Sequence, residues 1–107
     1  MIEITILYPK TPGGRFDHDY YETRHIPLAL QLLGGAVKGV VITRGVAPGA
    51  PWPDPTYVAT CRFSCESVEA YQQALQPHIE ALQADMVQYC DGQPVIQISE
   101  VTVRTQC

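Results

Sequence analysis

The hydrophobic pattern of this chain switches period repeatedly, and the order of those switches constrains the fold more than any other feature. Ile2, Ile4, Ile6 and Tyr8 alternate with Glu3, Thr5 and Leu7. That is the period of two expected of a strand whose successive side chains face opposite ways. Pro9 and the loop Lys10–Gly14 end it. From Asp17 the period lengthens: Tyr21, His25, Leu28 and Leu32 recur at steps of three and four, the stripe of an amphipathic helix running from about Asp17 to Leu33. Asp17 suits its N-cap, and Gly34-Gly35 tolerate the positive φ of a helix end. Pro27 falls inside the span, where it has no N–H to donate. It should bend the helix and leave the Thr23 carbonyl without its usual partner, next to His25.

The period returns to that of strands for the β-branched runs Val37–Val46 and Thr56–Phe63. They are separated by Gly45–Pro55, a loop too rich in proline for regular structure. Ser64 or Ser67 can cap a second helix carrying Val68, Tyr71 and Leu75, which Pro77 restarts through Ile79, Leu82 and Met86. Pro94–Arg104 alternates again as a fourth strand. The order β-α-β-β-α-β is the split βαβ pattern of a ferredoxin-like α+β fold, a four-stranded antiparallel sheet with both helices on one face. The opposite face would carry Glu3, Thr5 and Leu7, joined by Val40, Ile42 and Arg44. We expect it to be mixed but substantially apolar, suited to packing against the sheet of a second copy.

A length of 107 residues fits one domain, 1–107. A chain this short, with 46% hydrophobic and 17% charged residues, gains from a partner subunit. The net charge of -4, with Lys38, Arg44 and Arg62 dispersed, argues against nucleic acid as a partner. No stretch has the pattern of a signal peptide or a membrane span, so a cytoplasmic location is expected. Cys61, Cys65, Cys90 and Cys107 are expected to be free thiols.

His18, His25 and His78 lack the spacing of a metal site, and neither P-loop nor GxSxG spacing occurs. Cys61 reads as a small core residue. The informative stretch is Phe16–Leu28, which sets Tyr21 and His25 one helical turn apart. His25 fits either a core histidine bonded to a backbone carbonyl or a general acid or base. Tyr21, Tyr57 and Tyr71 fit either a helix-on-sheet core or a cavity wall. Asp85 is either a solvated residue near a helix end or an inward carboxylate needing a partner such as His25 or an arginine.

Phe16-Asp17 with Tyr20-Tyr21, His25-Ile26-Pro27-Leu28 with Gly34, Phe63 with Ser67, Glu69 and Ala70, then Ala84-Asp85 and Ile98-Ser99-Glu100-Val101 resemble the EthD proteins of the dimeric α+β barrel superfamily. The chain departs from that pattern after Asp85, reading Met86-Val87-Gln88-Tyr89 in place of the commoner Ile-Pro-Asn-Phe. The resemblance implies a homodimer whose two sheets form a barrel, with a small-molecule pocket between sheet and helices in each subunit. The EthD name derives from genes accompanying ether-degrading monooxygenase systems, and superfamily relatives include muconolactone isomerases, polyketide cyclases, cofactor-independent monooxygenases and haem enzymes. On that footing we expect a cofactor-free protein taking a small apolar cyclic or phenolic ligand. Its chemistry would be proton transfer of the isomerase, cyclase or dehydratase kind in a catabolic or biosynthetic route. His25 would move the proton, Asp85 orient it, and Tyr21 donate to a developing oxyanion. Tyr8, Leu28, Tyr57, Tyr71 and Tyr89 would complete the pocket. The alternative from a different class is a non-catalytic binding module serving a partner monooxygenase, and a third is haem binding through His25.

Overall fold

The computed structural model describes residues 1–106. Four strands form one sheet: β1 (Ile2–Pro9), β2 (Gly39–Arg44), β3 (Tyr57–Cys65) and β4 (Val95–Glu100). They lie in the order β2-β3-β1-β4, every neighbouring pair antiparallel. The two ends of the chain's strand pattern thus meet at β1 and β4, with Ile4 opposite Ile98 and Ile6 opposite Ile96. Crossovers of helix return the chain to the sheet twice, the split βαβ connectivity.

The first crossover begins at Asp17, whose carboxylate accepts from the Tyr20 N–H at 3.0 Å. A single turn, α1 (His18–Tyr20), passes into a π-helical turn over Tyr21–His25, and α2 (Ile26–Leu33) continues from it. In the π turn the Ile26 N–H donates to the Tyr21 carbonyl, five residues back. Pro27 then stands in the first turn of α2, where a missing N–H is not missed. The Thr23 hydroxyl donates to the Asp19 carbonyl at 2.6 Å. The irregularity expected from Pro27 is therefore a π turn ending on His25.

That turn shifts the buried stripe. Tyr21, His25, Ala29 and Leu33 are buried, joined by Ile26, whereas Leu28 and Leu32 are only half-buried. Three regular turns consume about 10.8 residues. One inserted residue raises this to about 11.8, close to the twelve-residue step from Tyr21 to Leu33. The expected phase through Leu28 and Leu32 is corrected accordingly.

The second crossover opens with Ser67 accepting from the Ala70 N–H at 3.1 Å. It runs through α3 (Val68–Leu75), a 3-10 turn at Gln76–His78 forced by Pro77, and α4 (Ile79–Met86). Arg15 ties the segment after α4 to the start of the first crossover, donating to the Val87 and Gln88 carbonyls at 2.8 and 3.0 Å. The Asp17 N–H donates to the Tyr89 carbonyl at 2.8 Å beside a bridge between Phe16 and Cys90.

The core lies between helices and sheet: Ile4 and Tyr8 of β1, Ala59, Cys61, Phe63 and Cys65 of β3, with Tyr21, Ile26, Ala29, Leu33, Tyr71 and Tyr89 above them. Fully burying a side chain such as Ile4 or Phe63 contributes roughly 1.5–3 kcal/mol. Cys61, Cys65 and Cys90 are free thiols; Cys107 lies outside the described residues. Among the described residues, no helix is long and apolar enough to cross a membrane.

The face of β2 differs from expectation. Its register sets Val40 opposite Phe63, Ile42 opposite Cys61 and Arg44 opposite Ala59, so these three share the helix side. Val41 and Thr43 take the open face, because a slip of one residue exchanges the two faces and branched residues stand at both parities here. Arg44 accordingly reaches the first crossover, clamping Glu22 at 2.7 and 2.9 Å and Asp19 at 3.3 Å. The Arg44 guanidinium holds the Glu22 carboxyl below its ordinary pKa. The open face is also more polar than expected: Leu7, Val41 and Val95 sit among Thr5, Thr43, Thr60, Arg62, Ser64 and Gln97. The segment after β4 returns to this face, where Arg104 approaches the Ser64 hydroxyl at 3.4 Å.

Candidate functional site

The two crossovers bring a base and its carboxylate together. His25 ends the π turn, and Asp85 lies near the end of α4. Asp85 Oδ2 stands 2.9 Å from His25 Nδ1. A carboxylate can only accept, so Nδ1 carries the proton and Nε2 keeps its lone pair. The other carboxylate oxygen of Asp85 accepts from the Tyr20 hydroxyl at 2.7 Å. Both oxygens are thereby fixed, and the ring is held in one tautomer, as a carboxylate behind an imidazole generally does. Burial depresses the His25 pKa below its ordinary value; Asp85 opposes that pull without cancelling it. The imidazole is therefore neutral at physiological pH.

Aromatic rings surround this pair. Tyr21 stacks on His25, with ring centres 5.6 Å apart and planes inclined by 15°. Tyr89 is tilted against His25 at 4.6 Å, and its hydroxyl meets that of Tyr8 at 2.8 Å. Burial pushes the pKa of the Tyr8, Tyr21 and Tyr89 phenols upward. All three remain protonated donors at neutral pH. Burial likewise pushes Tyr71 to about 12 and the Cys61 thiol to about 12. Cys61 is thus an inert core thiol rather than a nucleophile.

His25, Tyr8, Tyr21 and Tyr71 line a cavity of about 290 Å³ between helices and sheet. Its middle is apolar, and its rim runs between α4 and the start of β4, past Gln83 and Gln93. Ile96, on the helix side of β4, is 60% exposed there because no helix covers that edge of the sheet. The volume is at the small end for ligand sites, enough for a compound of one or two rings.

Three expected pocket residues lie elsewhere. Leu28 is turned out of the cavity by the π turn, and Ile26 and Ala29 take its place. Tyr57 pairs with Pro9 at the end of the sheet and does not line the cavity. Tyr89 is fully buried behind the wall, packed against its residues Tyr8, Tyr21 and His25. Conversely, Tyr20 joins the site through Asp85, a contact that the sequence pattern does not indicate. Tyr20 precedes Tyr21, about 100° round a regular helix, so periodicity through Tyr21 does not single it out. Trp52 of the proline-rich loop is exposed and does not line the cavity. Among the described residues, no three His, Cys, Asp or Glu side chains group to hold a metal ion.

The sheet order, the helices on one face and the cavity between them define a ferredoxin-like α+β protein. The EthD domain model matches residues 15–93, and the chain belongs to the EthD family. An EthD-like protein from Ralstonia eutropha JMP134 is 39% identical, over 97% of this chain and 94% of that one, with a TM-score of 0.91. An ethyl tert-butyl ether (EthD) family protein from Bacillus halodurans C-125 is 20% identical over 95% and 99%, TM-score 0.71. A DABB family protein with a ferredoxin-like fold from Mesorhizobium loti MAFF303099 is 15% identical over 95% and 97%, TM-score 0.59. These last two share the fold. No curated protein matches the chain.

Proposed function

We propose that this protein is a homodimeric, cofactor-free acid–base enzyme acting on a small apolar cyclic or phenolic compound. The observation that carries the reading is a buried His25 on the wall of an apolar cavity, with the half-buried Asp85 bonded to its Nδ1. A carboxylate holding Nδ1 leaves Nε2 as the one strong base facing an otherwise neutral lining. Perturbed titratable groups in a concave apolar site are the general mark of proton-transfer chemistry.

In the proposed reaction His25 Nε2 removes a proton from a carbon next to a ring carbonyl. The electron pair moves onto the carbonyl oxygen, which Tyr21, with Tyr8 beside it, stabilises by donating a hydrogen bond. The imidazolium then returns the proton to a different carbon, giving isomerisation, or to a departing hydroxyl, giving dehydration; in ring closure the enolate carbon attacks a second carbonyl of the same compound and the imidazolium protonates the alkoxide oxygen so formed. Asp85 orients the ring and balances its transient charge. Tyr20 fixes Asp85 in turn. The dimer is proposed to form through the open sheet face, where Leu7 of β1 beside Val95 of β4, and Val41 of β2, supply apolar contacts among hydrogen-bonding side chains.

The test is deuterium incorporation at C1 of 2-tetralone in D2O, followed by proton NMR, with wild type and His25→Ala. The proposal expects exchange faster than buffer in wild type and buffer-rate exchange in a folded, dimeric His25→Ala. A fully active His25→Ala protein sinks the mechanism. Saturable binding of 2-tetralone without accelerated exchange favours a non-catalytic carrier of the same ligand class.

A further inference from the structure

The cavity between helices and sheet contains no lysine, arginine, aspartate or glutamate among its described lining residues. Its polar groups are the buried phenols of Tyr8, Tyr21 and Tyr71 with His25, and the amides of Gln83 and Gln93 at the rim. The ionic groups nearby are committed elsewhere. Asp85 is turned to His25 Nδ1 and the Tyr20 hydroxyl. Arg44 is clamped on Glu22 and Asp19. Arg15 is held by two backbone carbonyls and Asp91.

We infer that the site selects uncharged ring compounds, oxygen-bearing end inward against Tyr8, Tyr21 and His25, and rejects the matching carboxylates and phosphates. The inference rests on the pocket proposed above and adds the charge of the ligand it takes. A neutral hydroxyl or carbonyl oxygen finds phenol donors on the buried wall, whereas a buried anion finds no cation. Protonating His25 would not supply one. The His25–Asp85 pair would then be neutral as a whole, so a ligand carboxylate would still add an uncompensated charge. Burial also opposes that protonation.

Isothermal titration of the wild-type protein near neutral pH with 2-naphthamide and 2-naphthoate isolates charge, because the two share ring and planar substituent. The amide is expected to bind at least about tenfold more tightly than the carboxylate. Equal affinity, or preference for 2-naphthoate, overturns the charge selection while leaving a ring-binding pocket in place. Failure of both to bind overturns the selection together with the pocket reading beneath it.

Discussion

The hydroxyl pair of Tyr8 and Tyr89 offers a quantitative test of how the cavity wall is held. The two oxygens lie 2.8 Å apart between side chains 3% and 0% exposed. In Tyr89→Phe the Tyr8 hydroxyl loses its partner inside the wall, and in Tyr8→Phe the Tyr89 hydroxyl does. Orphaning a buried donor or acceptor costs roughly 1–3 kcal/mol. Tyr8 borders a cavity that water can enter, so Tyr89→Phe should cost about 1–2 kcal/mol, and Tyr8→Phe, which orphans the enclosed Tyr89 hydroxyl, about 2–3 kcal/mol. At about 4–8 °C per kcal/mol for a domain near this size, each should lower Tm by about 4 °C or more. The double variant removes both polar groups at once and leaves no orphan. Its cost should therefore stay near that of one single substitution, a coupling of about 1 kcal/mol or more. Urea denaturation of all four proteins closes the cycle. Costs that simply add would refute the pairing.

Three further outcomes follow from the same geometry. Asp85→Asn removes the charge that raises the His25 pKa, leaving burial unopposed; the NMR titration of His25 should move to lower pH, and the acidic limb of any exchange activity should move with it. A limb that stays put or moves up contradicts the role given to Asp85. The folded His25 pKa lies below the ordinary 6.5, so as pH falls the unfolded chain takes up its proton first. Its contribution to stability is complete above about 6.5 and is lost as pH falls through the lower folded value. Wild type should therefore lose more stability than His25→Gln between about pH 7.5 and 5.5 by chemical denaturation, and identical losses would refute burial as the cause. Leu7→Glu places a charge on the central strand β1 of the open face, between Thr60 and Val95, and should convert dimer to folded monomer in sedimentation velocity; an unchanged dimer would place the interface elsewhere.

Much of the architecture was legible because hydrophobic period, caps and turn residues agree. Asp17 and Ser67 cap where sequence places caps, and the strand pattern of Ile2–Tyr8 matches its register with β3. The helix-side face of β2 was not legible, since Val40 and Ile42 alternate with Val41 and Thr43, and parity is decided only by pairing with Phe63 and Cys61. Pro27 announced an irregularity beside His25. Its form, a π turn, could not be read, and with it went the phase that buries Ala29 and Leu33 in place of Leu28 and Leu32. The site followed the same division. His25 and Asp85 could be set on inward faces of separate helices, and they meet at 2.9 Å. Tyr20 could not be found by periodicity, because it stands next to Tyr21 and off the stripe that Tyr21 and His25 define.

The most direct test of the central claim is the proton-coupled long-range 1H–15N spectrum of His25 at neutral pH, free and with 2-tetralone. The expected spectrum is that of a neutral ring protonated on Nδ1, with an unprotonated Nε2 whose resonance shifts when the ligand enters. An imidazolium, a proton on Nε2, or an Nε2 resonance indifferent to a ligand shown to bind would contradict it.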